Sequence, residues 1–137
     1  MKRLYFVLIL LALTVSGCSG LGQPQLTVDE AMEAFREAGL ECEAPEFVAK
    51  SDGSPLPKTF EEAQRCVVPS VDADHGIRVF AFDSEEDLQM VKDYYEGFSG
   101  MFGSYVYVRD NLLFQTSVSM PEELAEQYQQ VFETFEP

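Results

Sequence analysis

The sequence predicts an α+β fold, a single small domain in which about three helices pack mainly on one face of an antiparallel or mixed sheet of about four to five strands. Segments with apolar residues at helical spacing are interspersed with short segments in which apolar and polar residues alternate. Two of the alternating segments are separated by two turn-forming residues, which is typical of a β-hairpin. The length of 137 residues suits one domain, and 46% hydrophobic residues suffice for a packed core.

The domain begins with a predicted helix followed by a predicted strand. Thr27 and Glu30 form a capping-box pattern, and apolar residues then recur at helical spacing, so a helix is expected at 28–38. A first strand is expected at 40–48 from partial alternation, although Pro45 weakens it.

The middle of the chain contains a second capping-box pattern and the clearest strand. The pattern at 59–62 predicts a short helical turn near 60–64, followed by a second strand over 65–69. The segment 77–82 alternates with apolar residues on both of its faces. This predicts a strand inside the sheet, because an inner strand is covered on both sides.

The second long helix is predicted at 85–97. Ser84 precedes it as a cap, acidic residues fill its first turn, and its apolar stripe ends at Phe98. Glycines are expected to interrupt the chain after it, namely Gly97, Gly100 and Gly103.

A hairpin and a final helix complete the predicted domain. Strands at 105–109 and 112–118 flank the turn Asp110-Asn111. A helix is expected to start at Met120-Pro121, because apolar residues follow at helical spacing.

The charge balance excludes two classes of partner. Acidic residues outnumber basic ones by 24 to 9, which gives a formal charge of −15. A nucleic-acid-binding protein needs clustered lysine and arginine, so no nucleic-acid partner is expected. Docking on anionic lipid by charge alone is disfavoured for the same reason.

The N-terminus has the pattern of an export signal. Two basic residues precede an apolar run at 4–15, which as a helix would be roughly 18 Å long and too short for a hydrocarbon core of about 30 Å. The next residues, Val15-Ser16-Gly17-Cys18, resemble the lipobox of bacterial lipoproteins: an aliphatic residue, two small residues and a cysteine.

This resemblance implies transfer of diacylglycerol to the Cys18 thiol and cleavage before that residue. The expected organisation is a signal peptide at 1–17, a lipidated flexible tether at 18–26 and the α+β domain at 27–137. Two or three acyl chains would anchor the protein to the outer face of the cell membrane. In a bacterium with two membranes, Ser19 would favour the outer membrane.

Cleavage would leave 120 of the 137 residues, a side-chain charge of −17 and two cysteines besides the lipidated one. Cys42 and Cys66 are expected to form a disulfide, since an even number of cysteines in an exported protein is typical of pairing. The alternative is two buried, unpaired thiols. Their spacing excludes a CxxC redox pair, and a single histidine argues against zinc.

No catalytic constellation, cofactor or metal is predicted. His75 beside Asp74 would serve a small hydrolase as a general base, but an exposed loop histidine is the simpler interpretation. Asp72, Asp74 and Asp83 have part of a calcium-loop spacing without its remaining ligands.

Aromatic residues of the hairpin offer a candidate surface for a protein partner. Tyr107 should lie opposite Phe114 and Tyr105 opposite Thr116, with Val106, Val108 and Leu113 on the other face. If the valine face packs on helices, these tyrosines are exposed and can bind a partner; if the tyrosines point inward, they are core residues.

A second, looser resemblance covers most of the mature chain. The stretch 59–83, a helix with Tyr94-Tyr95 near its end, and the hairpin segment 105–111 are similar to small lipoproteins of Gram-positive bacteria, some labelled stress proteins. This resemblance implies an anchored single domain of unassigned activity. We therefore expect a non-enzymatic, lipid-anchored domain that presents a binding surface to an envelope partner. The alternatives are the Asp74/His75 hydrolase and an envelope stress or structural protein without a specific ligand.

Overall fold

The computed structural model describes residues 25–102 and 104–137, and it confirms the α+β class in a single small domain. Five strands and three helices occur in the described residues. In chain order they are α1 (Val28–Glu37), β1 (Glu43–Phe47), β2 (Glu62–Val67), β3 (Gly76–Ala81), α2 (Glu85–Phe102), β4 (Val106–Arg109), β5 (Leu112–Thr116) and α3 (Glu122–Thr134).

The strands form one sheet in the order β1-β2-β3-β5-β4, and neighbouring strands are antiparallel. Strand β3 is the central strand, as its two apolar faces predict. Its first residue, Gly76, lies opposite Val67 of β2, and its last residue, Ala81, lies opposite Leu112 of β5. The approach at Gly76 is close, because a Cβ there would come within 2.2 Å of the carbonyl oxygen of Cys66. Only glycine fits at this position.

Helices cover both faces of the sheet, two on one side and one on the other. Helices α1 and α3 contact each other and share a core with one face, which we call the α1/α3 face. Helix α2 packs against the opposite face, the α2 face, where Phe80 of β3 and Leu113 of β5 are fully buried. The alternation of β3 thus sends Ile77 and Val79 into one core and Phe80 into the other.

The capping box of α1 forms as predicted. The Thr27 hydroxyl accepts a hydrogen bond from the backbone N–H of Glu30 at 3.2 Å, and the Glu30 carboxylate accepts one from the backbone N–H of Thr27 at 2.8 Å. The buried side of the helix is the predicted apolar stripe, namely Val28, Ala31, Met32 and Phe35.

The second capping-box pattern does not form, and the predicted helical turn near 60–64 is wrong. Strand β2 occupies Glu62–Val67, so it begins three residues before the expected position. The Thr59 hydroxyl donates to the carbonyl of Asp87 in α2 at 3.0 Å, and Glu61 N–H donates to the carbonyl of Ala81 at 2.8 Å. Tertiary packing and sheet pairing have therefore overridden the local capping preference.

Helix α2 is longer than predicted, because it continues through Gly97 and Gly100 to Phe102. The prediction that these two glycines interrupt the chain after the helix is therefore wrong. The side chain of Phe98, predicted to end the apolar stripe, and Gly103 lie outside the described residues.

The segment before α1 is fixed to the β4–β5 turn by Asn111. The Asn111 side chain accepts a hydrogen bond from the N–H of Leu26 at 3.0 Å and donates one to its carbonyl at 2.9 Å. Leu26 is also buried in the α1/α3-face core. The domain thus includes Leu26, one residue before the predicted boundary at 27.

Candidate functional site

The predicted lipidation site, Cys18, lies outside the described residues, as do the predicted signal peptide at 1–17 and most of the predicted tether at 18–26. From residue 25 onward, no described helix has the length and apolarity needed to cross a bilayer.

Cys42 and Cys66 are joined by a disulfide, with a Cα–Cα distance of 5.1 Å. The bond ties the start of β1 to β2 and is buried in the α1/α3-face core. The sulfur of Met32 in α1 lies 3.6 Å from Cys42 Sγ and 3.9 Å from Cys66 Sγ. Besides linking two strands, the bridge therefore packs against the first helix.

The hairpin register is as predicted, but the predicted exposed aromatic surface is wrong for Phe114. Tyr107 lies opposite Phe114, and the rings stack with centroids 5.6 Å apart. Phe114 is fully buried, and Tyr105 and Tyr107 are half-buried against the same α1/α3-face core. Burial also raises the pKa of Tyr107. The tyrosines point inward because α3 covers their face of the sheet.

The proposed base His75 is paired with Asp72 and not with Asp74. His75 Nδ1 lies 3.1 Å from Asp72 Oδ1, which also accepts the backbone N–H of Asp74 at 2.9 Å. The hydrogen bond from Asp74 N–H, followed by the one from His75, lowers the pKa of Asp72. His75 is 62% exposed. This loop contact therefore lacks the enclosed geometry of a nucleophile–base pair.

Several charged and polar side chains line a cleft at the end of the α2 face. The cleft has a volume of about 310 Å³, at the lower end of the range for ligand pockets. Its floor is formed by side chains of β2, β3 and β5 that point away from α1 and α3. Its sides are the loop between β2 and β3, the segment after β5 and the edge strand β1. The charged and amide side chains in its lining include Glu46, Arg65, Asp72, Asp74, Arg78 and Gln115.

Arg78 is the distinctive residue of this cleft. It lies in the central strand, on the same face as Phe80, and it is half-buried. Its Nη1 donates to Gln115 Oε1 at 3.4 Å, which is a long hydrogen bond. On the side of helix α2, Arg78 interacts with the phenol of Tyr95. Burial raises the pKa of that phenol, and the charge and hydrogen bond of Arg78 oppose the rise.

Arg78 also differs from most of the other cations in having no carboxylate partner among the described residues. Ion pairs there join Arg36 to Glu33, Lys58 to Asp52, Arg65 to Glu46, Lys92 to Glu96 and Arg109 to Asp110. Lys50 is the other basic side chain outside this set, and it is exposed above the ring of Phe60. A half-buried guanidinium left without a carboxylate in so acidic a protein has donors to offer to a ligand.

Other groups in the cleft support a polar ligand. Gln115 is only 5% exposed and contributes its amide to the floor. The hydroxyl oxygen of Ser117 is buried and has no hydrogen-bond partner in the described structure. Both residues follow Leu113 at intervals of two, so they project from the α2 face. A buried hydroxyl without a partner is a costly feature that a bound ligand would relieve.

Arg78 is not among the site residues predicted from the sequence, although the sequence contains one signal for it. A single charged residue stands between Ile77 and Val79 in a strand that is otherwise apolar on both faces. A charge in an inner strand is expensive unless it is paired or used. The remaining members come from segments far apart in the chain, so spacing alone could not assemble them.

Comparison of the sequence and structure with protein-family models, with curated proteins and with solved structures found no match, so the assignment of function rests on the residues described above.

Proposed function

We propose that this protein is a lipid-anchored, non-enzymatic domain that presents a binding surface on the outer face of the cell membrane. The proposed binding surface is the cleft around Arg78. The observation that carries it is the half-buried guanidinium of Arg78, which has no carboxylate partner within residues 25–102 and 104–137, in a protein of formal charge −15.

Two features support export and anchoring. The lipobox-like segment ends at Cys18, the residue that would receive the lipid. The disulfide between Cys42 and Cys66 is the kind of bond that persists in oxidising compartments outside the cytoplasm.

The position of the cleft also supports a role as an anchored binding domain. Leu26, where the tether ends, is held at the β4–β5 turn, beside the Ala81 end of β3. The cleft lies at the Gly76 end of the same strand. The six residues of β3 separate the two ends by roughly 17 Å. The cleft therefore lies at the end of β3 opposite the tether, where the proposed anchor would not block a ligand.

Replacement of Cys18 by serine is expected to release the protein from membranes, because a hydroxyl cannot form the thioether that holds the lipid. Membrane fractionation and intact-mass measurement of the extracted protein check this. The control is Ser19→Ala, which leaves the thiol in place and should remain membrane-bound with the wild-type acyl mass. Retention of the Cys18→Ser variant on membranes would refute the anchoring.

Crosslinking in living cells tests the binding function. A molecule recovered with the full chain from membranes should be recovered less with Arg78→Gln and equally with Arg36→Gln, an exposed site on α1 with the same change of charge. Recovery of nothing under several growth conditions, together with no small ligand bound by the purified chain, would contradict the proposal.

His75→Gln tests the hydrolase alternative. A deletion strain complemented with this variant is expected to behave like one complemented with the wild-type chain, because the His75 side chain is exposed and a glutamine amide can replace its hydrogen bond with Asp72. Loss of complementation by a variant that is present at the wild-type level and still recovers the crosslinked molecule would instead favour an enzyme.

A further inference from the structure

We propose that the cleft binds a small zwitterionic ligand, an amino acid or a dipeptide, whose carboxylate contacts Arg78 and whose ammonium group contacts the acidic loop at Asp72 and Asp74. This inference rests on the proposed binding function and specifies its ligand.

The charges of the cleft indicate a ligand with two opposite ends. Glu46 and Arg65 neutralise each other through an ion pair between β1 and β2. The remaining cation in the floor is Arg78, and the loop between β2 and β3 adds Asp72 and Asp74. Asp72 stays ionised at neutral pH, because two hydrogen bonds from its own loop lower its pKa. One guanidinium therefore shares the cleft with a carboxylate pair.

This arrangement disfavours ligands of a single charge. A phosphate would gain from Arg78 but would approach two carboxylates inside a protein whose formal charge is −15. A ligand with only a positive charge would be repelled by the Arg78 guanidinium in the floor of the cleft. A zwitterion satisfies both ends, since complementary charges favour binding and like charges oppose it.

Arg78 is suited to the carboxylate end. A guanidinium presents five N–H donors in a planar fork that matches a carboxylate. The described partners of the Arg78 guanidinium are Gln115, through a long hydrogen bond, and the phenol of Tyr95. The buried hydroxyl of Ser117, which lacks a partner in the described structure, also lines the cleft and is a further polar contact for the ligand.

The size of the cleft sets an upper limit on the ligand. A volume of about 310 Å³ is near the minimum for ligand pockets, and both ends of the ligand must fit within it. Apolar side chains also line the cleft, including Val67 and Val118, the latter 54% exposed. They provide contact for a short aliphatic side chain and favour an amino acid or a dipeptide over a longer peptide.

Titration calorimetry on the full chain purified in detergent tests the proposal. The probes are a pool of the standard amino acids, a pool of alanine-containing dipeptides, the N-acetylated and the carboxamide forms of both pools, and inorganic phosphate. Saturable heat is expected with at least one zwitterionic pool. Blocking either charged end should weaken binding about ten- to a hundred-fold, as expected for loss of a charged hydrogen bond.

Arg78 variants locate the site. Arg78→Gln should weaken binding of the active compound by a similar factor, whereas Arg36→Gln should not change it. Because Arg78 is half-buried, Arg78→Lys serves as a second variant that keeps the charge but loses the fork, and it should bind with intermediate affinity. Unchanged binding in a folded Arg78→Gln or Arg78→Lys protein would overturn the assignment of the site.

The remaining outcomes separate the ligand class from the proposed function. Equal binding of the N-acetylated compounds, or tighter binding of phosphate, would overturn the zwitterion in favour of an anion. If no probe binds while crosslinking still recovers an Arg78-dependent partner, the ligand class is wrong and the binding function stands. If crosslinking recovers nothing either, both proposals fail.

Discussion

Replacement of Phe114 by alanine is expected to lower the free energy of unfolding by about 3–5 kcal/mol, the usual cost of removing a buried phenylalanine. Phe114 is fully buried in β5, and its ring lies 5.2 Å from that of Phe35, 5.5 Å from Phe132 and 5.6 Å from Tyr107. The alanine would leave a cavity between α1, α3 and the hairpin that these rings cannot fill without moving.

Urea unfolding of the full chain, followed by tyrosine fluorescence, measures this cost. The matched control is Val108→Ala in the same hairpin, because Val108 is 39% exposed on the opposite face. That variant should change the free energy of unfolding by no more than about 0.5 kcal/mol. If Phe114→Ala cost as little as the control, Phe114 would not be a core residue and the hairpin would again be a candidate surface for a partner.

The sequence predicted the elements that local chemistry determines. Helix α1 has a complete capping box followed by an apolar stripe, and the hairpin has its two-residue turn at Asp110-Asn111, where β4 ends and β5 begins. Both signals lie within a few residues of the element they define. The central position of strand β3 could be predicted equally well, because apolar residues on both of its faces require it to be covered on both sides.

The errors arose where distant residues decide the structure. The pattern at Thr59 resembles a helix cap, but its hydroxyl bonds to α2, twenty-eight residues later, while Phe60 and Ala63 are buried under that helix. Gly97 resembles a helix stop, yet α2 continues beyond it to Phe102. Burial against a partner element outweighs a local preference of about 1 kcal/mol.

Contacts between residues far apart in the chain also limited what the sequence could predict of the candidate site. Alternation identified the two faces of the hairpin, but it could not show that α3 covers the tyrosine face and leaves Val108 partly exposed. Counting cysteines was enough to predict the pair Cys42 and Cys66. The cleft required knowledge of the sheet order, because β2 and β5 flank Arg78 only after folding.

Loss of the disulfide is expected to lower the free energy of unfolding by about 3 kcal/mol, from the chain entropy that a bridge with a sequence separation of 24 removes from the unfolded state. The bond connects the edge strand β1 to β2, and residues of β1 border the cleft through Ala44 and Glu46. Strand β1 is exposed throughout, so its placement depends strongly on this link and on the pairing with β2.

Reduction of the wild-type chain isolates this effect, because no side chain is removed. Urea unfolding with and without reductant should differ by about 3 kcal/mol, whereas the double variant Cys42→Ala, Cys66→Ala should show no dependence on reductant. Identical curves for the oxidised and reduced wild-type chains would contradict a stabilising bridge. Because β1 forms one wall of the cleft, the reduced chain should also bind its ligand more weakly, which would connect the stability of this edge to the proposed function.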